Sequence, residues 1–241
     1  FGNMSLAFAI LFNIALAVLV IGVALRIVKY VKAPAPLKIP TTPAPTTQTG
    51  VVLRMFREVV FFESLFKSTK WTWIFGWMFH MGLFAELARH SRYFNNLMPA
   101  EIVGPLKYAS FFMVIGLLGL LARRIFVDRV RYITSPSDIA MLLLLLLIGI
   151  SGMIMTFVSH TDITAVTHYF HTVWPFGESG QLPGDPVLWI HLLLVVALML
   201  IFPISKLLHA PGVFFSPSRN MVDNPREKRH VSDWAKKLEQ S

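Results

Sequence analysis

Five apolar stretches, each long enough to cross a hydrocarbon core of about 30 Å as a helix of roughly 20 residues, leave this 241-residue chain little choice of fold. They run near Ser5 to Leu25, Trp71 to His90, Leu106 to Phe126, Ile139 to Val158 and Val187 to Leu208. The first has Asn13 as its one strongly polar member, the fourth is uncharged, and the fifth contains Pro203. Backbone polar groups in lipid must pair within the chain, so these stretches are predicted to be helices. The expected fold class is all-α, an integral membrane bundle of five transmembrane helices. With 55% hydrophobic and 15% charged residues, an ordinary soluble domain is excluded.

Lysine and arginine are retained on the cytoplasmic side of short connections. Of the 22, eight lie between Arg26 and Lys70, four between Arg123 and Arg131, and seven from Lys206 onward, all on one predicted face. The 159–186 loop on the opposite face has none, and carries Asp162, Glu178 and Asp185. The N-terminus is therefore expected outside and the C-terminus in the cytoplasm. The net charge of +9 answers to anionic lipid and topology, and no nucleic acid is needed to explain it. Cysteine is absent, so any iron–sulfur cluster must sit in a partner. Residues 1–32 are read as the first helix, retained as a span, and 33–70 as a cytoplasmic connection. That connection opens with the Pro-rich APAPLKIPTTPAPTTQTG, expected to be extended. Its amphipathic continuation, VVLRMFREVVFFESLF, suits a helix at the membrane surface or against a partner. Residues 71–209 form a four-helix membrane domain, and 210–241 a polar cytoplasmic tail suited to docking or disorder. There is no Walker motif, dinucleotide fingerprint, HExxH motif or internal repeat, which removes support for nucleotide or hydrolytic chemistry.

Ionisable residues at membrane depth usually mark function. Here His80 and His90 lie ten apart in the second stretch, and His191 and His209 eighteen apart in the fifth. Those two spans are separated by an odd number of crossings and must be antiparallel, which pairs His80 with His209 and His90 with His191. Two facing imidazoles can ligate a haem iron from both axial sides, leaving no open position for substrate, and such a site carries electrons. On ideal axes the fifth-span histidines share a face about 27 Å apart, whereas ten residues on the second span give about 15 Å and a rotation of about 80°. Tilt, or a kink at Pro203, must absorb the mismatch. A membrane histidine can instead simply bond across helices. Glu86 and Arg89 could pair with each other, orient a ligand or meet a propionate. Arg123, Arg124 and Lys206 read as inner-leaflet anchors. His160, His168 and His171 read as ordinary loop residues ahead of a metal cluster, and His230 as solvent-facing.

The sequence WMFHMGLFAELARH, the connection LLARRIFVDRVRYITSPSDI, and FPISKLLH with His191 upstream together resemble the gamma subunit of respiratory nitrate reductase and its relatives, over all five spans. The resemblance implies a diheme cytochrome b, with an inner haem b on His80 and His209 and an outer haem b on His90 and His191. It further implies electron exchange with membrane quinone or menaquinone near the outer haem, and transfer to a cytoplasmic iron–sulfur subunit. The chain itself would perform no chemistry on a soluble substrate. The expected location is a prokaryotic cytoplasmic membrane. The family's quinol-site lysine has no ungapped match here, Lys107 being the nearest candidate. The insertion at Ala33–Gly50 points to a related branch, the membrane cytochrome b of dissimilatory sulfite-reduction-associated complexes. The partner there resembles the catalytic iron–sulfur subunit of heterodisulfide reductase; in the nitrate reductase reading it is the beta-like subunit. Two other classes stand beside this one: a proton- or ion-coupled transporter using His80, Glu86, Arg89 and His90 as a relay without haem, and a passive anchor needing none of the histidines.

Overall fold

The computed structural model describes residues 2–34, 40, 43–94, 99–173, 180–223, 234 and 237–238. Glu178, His230, much of the Pro-rich linker and most of the tail beyond 223 lie outside the described residues. Every regular element among the described residues is helical. In order they are α1 (Gly2–Lys32), α2 (Gln48–Val60), α3 (Glu63–Ser68), α4 (Lys70–His90), α5 (Ala100–Leu106), α6 (Ala109–Phe126), α7 (Asp128–Ile133), α8 (Pro136–Phe157), α9 (Ile163–Val173), α10 (Pro186–Ile201), α11 (His209–Gly212) and α12 (Pro217–Asn220).

Four helical segments are long and apolar enough by themselves to cross a membrane: Asn3–Lys32, Glu101–Phe126, Pro136–Phe157 and Pro186–Ile204. The chain is a multi-pass membrane protein. The remaining expected span, α4, has the length at 21 residues but a mixed composition, KWTWIFGWMFHMGLFAELARH, in which tryptophan, histidine, Glu86 and Arg89 dilute the apolar character.

The residues group into two compact units, Phe1–Ala17 with Ser68–Leu200, and Val18–Lys67 with Ile201–Ser241. In the first unit, glycines set the closest helix approach. A β-carbon on Gly82 of α4 would come 2.5 Å from the Met113 amide nitrogen and 2.9 Å from the Ala109 carbonyl on α6. One on Gly116 of α6 would come 2.6 Å from the Phe79 nitrogen and 2.7 Å from the Phe75 carbonyl on α4. Rising numbers on one helix meet falling numbers on the other, so α4 and α6 are antiparallel and in backbone contact, the small-residue packing that membrane helices use. Gly149 of α8 faces Val114 of α6 in the same manner, at 3.0 Å. The SPSD sequence that opens α8 is a capping box: the Ser135 side chain meets Asp138, whose Oδ2 accepts from the Ser135 amide at 3.0 Å. Arg124 adds an ion pair to Asp138 at 3.7 Å.

The connection expected to be a loop at 159–186 contains the helix α9. Its Tyr169 is fully buried, donates its hydroxyl to the Ser5 carbonyl at 2.7 Å, and sits among Phe8 and Phe170. Burial pushes the Tyr169 phenol up to about 12. The Leu182 amide donates to Ser5 Oγ at 3.1 Å, tying this cap to the start of α1.

The span expected from Val187 to Leu208 with a kink at Pro203 breaks more sharply than a kink. It stops at Ile201 and passes through a 3₁₀ turn at Phe202–Ile204, an extended Ser205 (φ −100°, ψ 171°) and a second turn at Lys206–Leu208. Pro203 lacks an amide hydrogen and ends the regular ladder. Its ring fills the notch at Gly22 of α1, where a β-carbon would lie 2.6 Å away, and its carbonyl accepts from Arg26 Nε at 3.1 Å. Residues 202–208 therefore do not continue the α-helical ladder.

Candidate metal centre

His90 closes α4 and His191 lies one and a half turns into α10. Their ring centres are 6.4 Å apart with planes inclined by 19°. Two imidazoles that bind one metal from opposite sides through nitrogens at roughly 2 Å each put their ring centres about 6 Å apart. The ring-centre separation of His90 and His191 matches that spacing.

Hydrogen bonds decide which nitrogen each ring offers. His90 Nδ1 lies 2.6 Å from the Glu86 carbonyl one turn back. A carbonyl can only accept, so Nδ1 carries the hydrogen and Nε2 keeps its lone pair. His191 Nδ1 lies 2.9 Å from Ser151 Oγ, and that hydroxyl gives its one hydrogen to the Ile148 carbonyl at 3.0 Å. The shared hydrogen therefore comes from the imidazole, and His191 too presents a bare Nε2. Gly152 lies beside the His191 ring, its would-be β-carbon 3.5 Å from Cε1. Among the described residues no three His, Cys, Asp or Glu side chains converge on a metal ion, so His160, His168 and His171 form no such group. Two imidazoles alone suit an iron whose remaining ligands come from a porphyrin.

At the other two histidines Nδ1 also meets a backbone carbonyl. His80 Nδ1 meets the Gly76 carbonyl at 2.7 Å, and His209 Nδ1 the Lys206 carbonyl at 2.9 Å. Each is thereby the Nδ1–H tautomer. His80 belongs to the first unit, with Phe79 and Phe84 against its ring at 4.7 and 6.4 Å. His209 belongs to the second, where it lines an open cleft of about 500 Å³ with Tyr30, Ser205, Lys206 and Phe215.

Around His90 lies a polar cluster that a sequence can suggest only in part. Glu86 and Arg89 are both buried and pair at 3.3 Å, and Arg89 Nη2 reaches Thr156 Oγ1 on α8 at 3.3 Å. Glu86 Oε2 is 3.8 Å from His90 Nδ1. The expected pairing of Glu86 with Arg89 is therefore present. Tyr93 packs on His90 at 5.6 Å, and Arg92 donates to the Tyr93 hydroxyl at 3.0 Å. Lys107 caps α5, its ammonium 5.1 Å above the Tyr108 ring. Ser151, Thr156 and Tyr93 were not foreseen. The sequence signal for Ser151 and Thr156 is two hydroxyls in an uncharged span.

A multi-pass helical membrane protein with two histidine rings 6.4 Å apart inside its bundle is the class that fold and site define. The chain belongs to the nitrate reductase gamma subunit family, whose model matches residues 63–229. It is 37% identical, over 92% of its length and 81% of the relative's, to the Hdr-like menaquinol oxidoreductase cytochrome b-like subunit of Archaeoglobus fulgidus. The protein of the same description from Archaeoglobus profundus is 30% identical over 92% of this chain and 80% of its own. The nitrate reductase gamma chain of Bacillus subtilis is 33% identical over 101 residues, which cover 39% of this chain and 45% of that one.

Proposed function

We propose that the chain is a diheme cytochrome b that takes electrons from menaquinol and delivers them to a cytoplasmic iron–sulfur subunit, in a complex like those of its Archaeoglobus relatives. The observation that carries this reading is the His90–His191 pair: ring centres 6.4 Å apart, with both Nδ1 hydrogens committed so that Nε2 is the ligand. His90 and His191 hold the outer haem, and His80 and His209 the inner one. The inner pair rests on its tautomers and on the resemblance of the flanking sequence. Haem supplies one-electron transfer when bound. The protein's part is to fix ring orientation through Glu86, Ser151, Gly76 and Lys206, and to keep competing ligands away. Oxidation of menaquinol releases two electrons and two protons, and Lys107 contacts the quinone.

The topology belongs to the same proposal. α4 is the fifth span, supported by its antiparallel backbone contact with α6 at Gly82 and Gly116. The distribution of basic residues supports an N-terminus outside and a C-terminus in the cytoplasm, and the membrane is a prokaryotic cytoplasmic one. Residues 71–209 make the haem-binding domain, with 33–70 and 210–241 facing the cytoplasm. The role in dissimilatory sulfur metabolism, with a heterodisulfide reductase-like partner, is favoured over nitrate reduction because the more extensive matches are to Hdr-like proteins.

The test is a His191→Leu chain purified beside the parent. One b haem of two should vanish, and reduction by a menaquinol analogue should fall with it. Unchanged haem content would remove the outer site.

A further inference from the structure

The segment α2–α3 has its polarity turned inside out. Val52, Leu53 and Phe56 follow one another along a helical stripe of α2, and each is more than half exposed, as is Phe61 just beyond. Of the acidic residues in the same segment, Glu58 is mostly covered and Glu63 is paired on both sides. The Glu58 side chain is only 12% exposed, held by Arg219 of α12 at 2.8 Å and by Ser64. Glu63 is clamped between Arg57 and Lys67 at 2.6 Å each. The bases of those clamps stay outside, Arg57 at 51% and Lys67 at 71% exposed. The outward surface is therefore an apolar stripe flanked by positive charge, with the negative charge covered. Phe62, at φ 52°, makes the sharp turn that folds α3 back so that Ser64 can reach Glu58.

We infer that α2 and α3 lie in the inner interface of the bilayer and bind anionic phospholipid, with Val52, Leu53 and Phe56 inserted below the headgroups and Arg57 and Lys67 at the phosphates. A large exposed apolar stripe marks a lipid or protein contact, and an amphipathic helix with bases at its edge is suited to an anionic membrane surface. Chain connectivity selects lipid. Thr69 alone separates α3 from α4, and α3 is about 9 Å long at 1.5 Å per residue, so α2 starts its run within a short tether of a membrane helix. Juxtamembrane bases each add about 1 kcal/mol of attraction to an anionic leaflet. The inference rests on α4 being a span and is independent of haem.

The chain has no cysteine, so single-cysteine spin labels report without background. Labels at Val52→Cys, Leu53→Cys and Phe56→Cys are compared with Tyr132→Cys, which is 91% exposed, and with Phe84→Cys on α4. The whole chain is placed in phosphatidylcholine nanodiscs with and without phosphatidylglycerol, and collision with oxygen is measured against a water-soluble nickel chelate. The three α2 labels should show an oxygen-to-nickel ratio several-fold above Tyr132→Cys, rising further with phosphatidylglycerol and losing that rise in an Arg57→Gln, Lys67→Gln background. Nickel access at the α2 labels equal to that at Tyr132→Cys, as a protein-docking face would give in the isolated chain, overturns the inference. A ratio indifferent to phosphatidylglycerol overturns its electrostatic part. Water access at Phe84→Cys as well would overturn the span assignment of α4 with it.

Discussion

At the scale of single residues, the site depends on atoms that hold the histidines rather than on the histidines alone. Ser151 accepts the Nδ1 hydrogen of His191, and outer partners of metal-bound imidazoles contribute about 10–100-fold in metal affinity. Ser151→Ala should therefore weaken haem retention by about that factor and shift one haem midpoint potential in a redox titration, with the low-spin spectrum retained. Retention and potentials equal to the parent would show that Ser151 does not position the ligand. Arg89 presents a different case. Removing one member of a buried ion pair leaves an uncompensated charge, at a cost of about 3–5 kcal/mol. Arg89→Leu should lower the thermal midpoint markedly, and adding Glu86→Gln should recover much of the loss. A double variant no better than the single one would mean that Glu86 is not the group left stranded. At the exposed end of the scale, the hydrogen bonds from Lys67 and Arg57 hold the Glu63 carboxyl at about 2, well below its ordinary 4.5. Because the folded value is depressed, the stabilisation is present above 4.5 and lost as pH falls toward 2. The Glu63 carboxyl carbon signal should titrate near the lower value, and return toward the ordinary glutamate range in Lys67→Met.

At the scale of helices, α4 and α6 meet backbone to backbone because Gly82 and Gly116 each present no side chain to the other. Overpacking a tight interface costs typically about 1–3 kcal/mol. Gly116→Leu, whose side chain would meet Phe75 and Phe79, should exceed that range and separate the helix that carries His80 and His90, so that haem is lost along with stability. A stable, fully haem-loaded Gly116→Leu chain would contradict the packing. The apolar runs that became α1, α6, α8 and α10 were legible in the sequence because a membrane span needs only length and hydropathy. The helix α4 was legible by the same reasoning, though its tryptophans and charges leave it short of the apolarity of the other four. α9 was missed because a basic-free connection between spans reads as loop, even though Ile163, Val166, Tyr169 and Phe170 repeat at helical spacing. The break at Ser205 was foreseen only as a kink at Pro203. A proline tells where an amide is missing, not whether the chain beyond it resumes a helix.

At the scale of the whole molecule, histidine spacing and an odd number of crossings led to the pairing of His90 with His191, whose ring centres lie 6.4 Å apart. The hydroxyl network behind them was not legible, since Ser151 and Thr156 are single polar residues in apolar runs whose partners are set by helix rotation. The haem-free relay reading invoked Glu86 and Arg89 as proton carriers. In the fold they are bound to each other and to Thr156, which suits a fixed structural role. The proposed electron path and the relay differ most plainly in cofactor content. The direct measurement is therefore the haem content per chain of the detergent-purified protein, by pyridine haemochrome with a reduced-minus-oxidised spectrum. Two b haems per chain is the expected result. A folded chain purified without haem would contradict it, and a single haem would confine the site to one histidine pair.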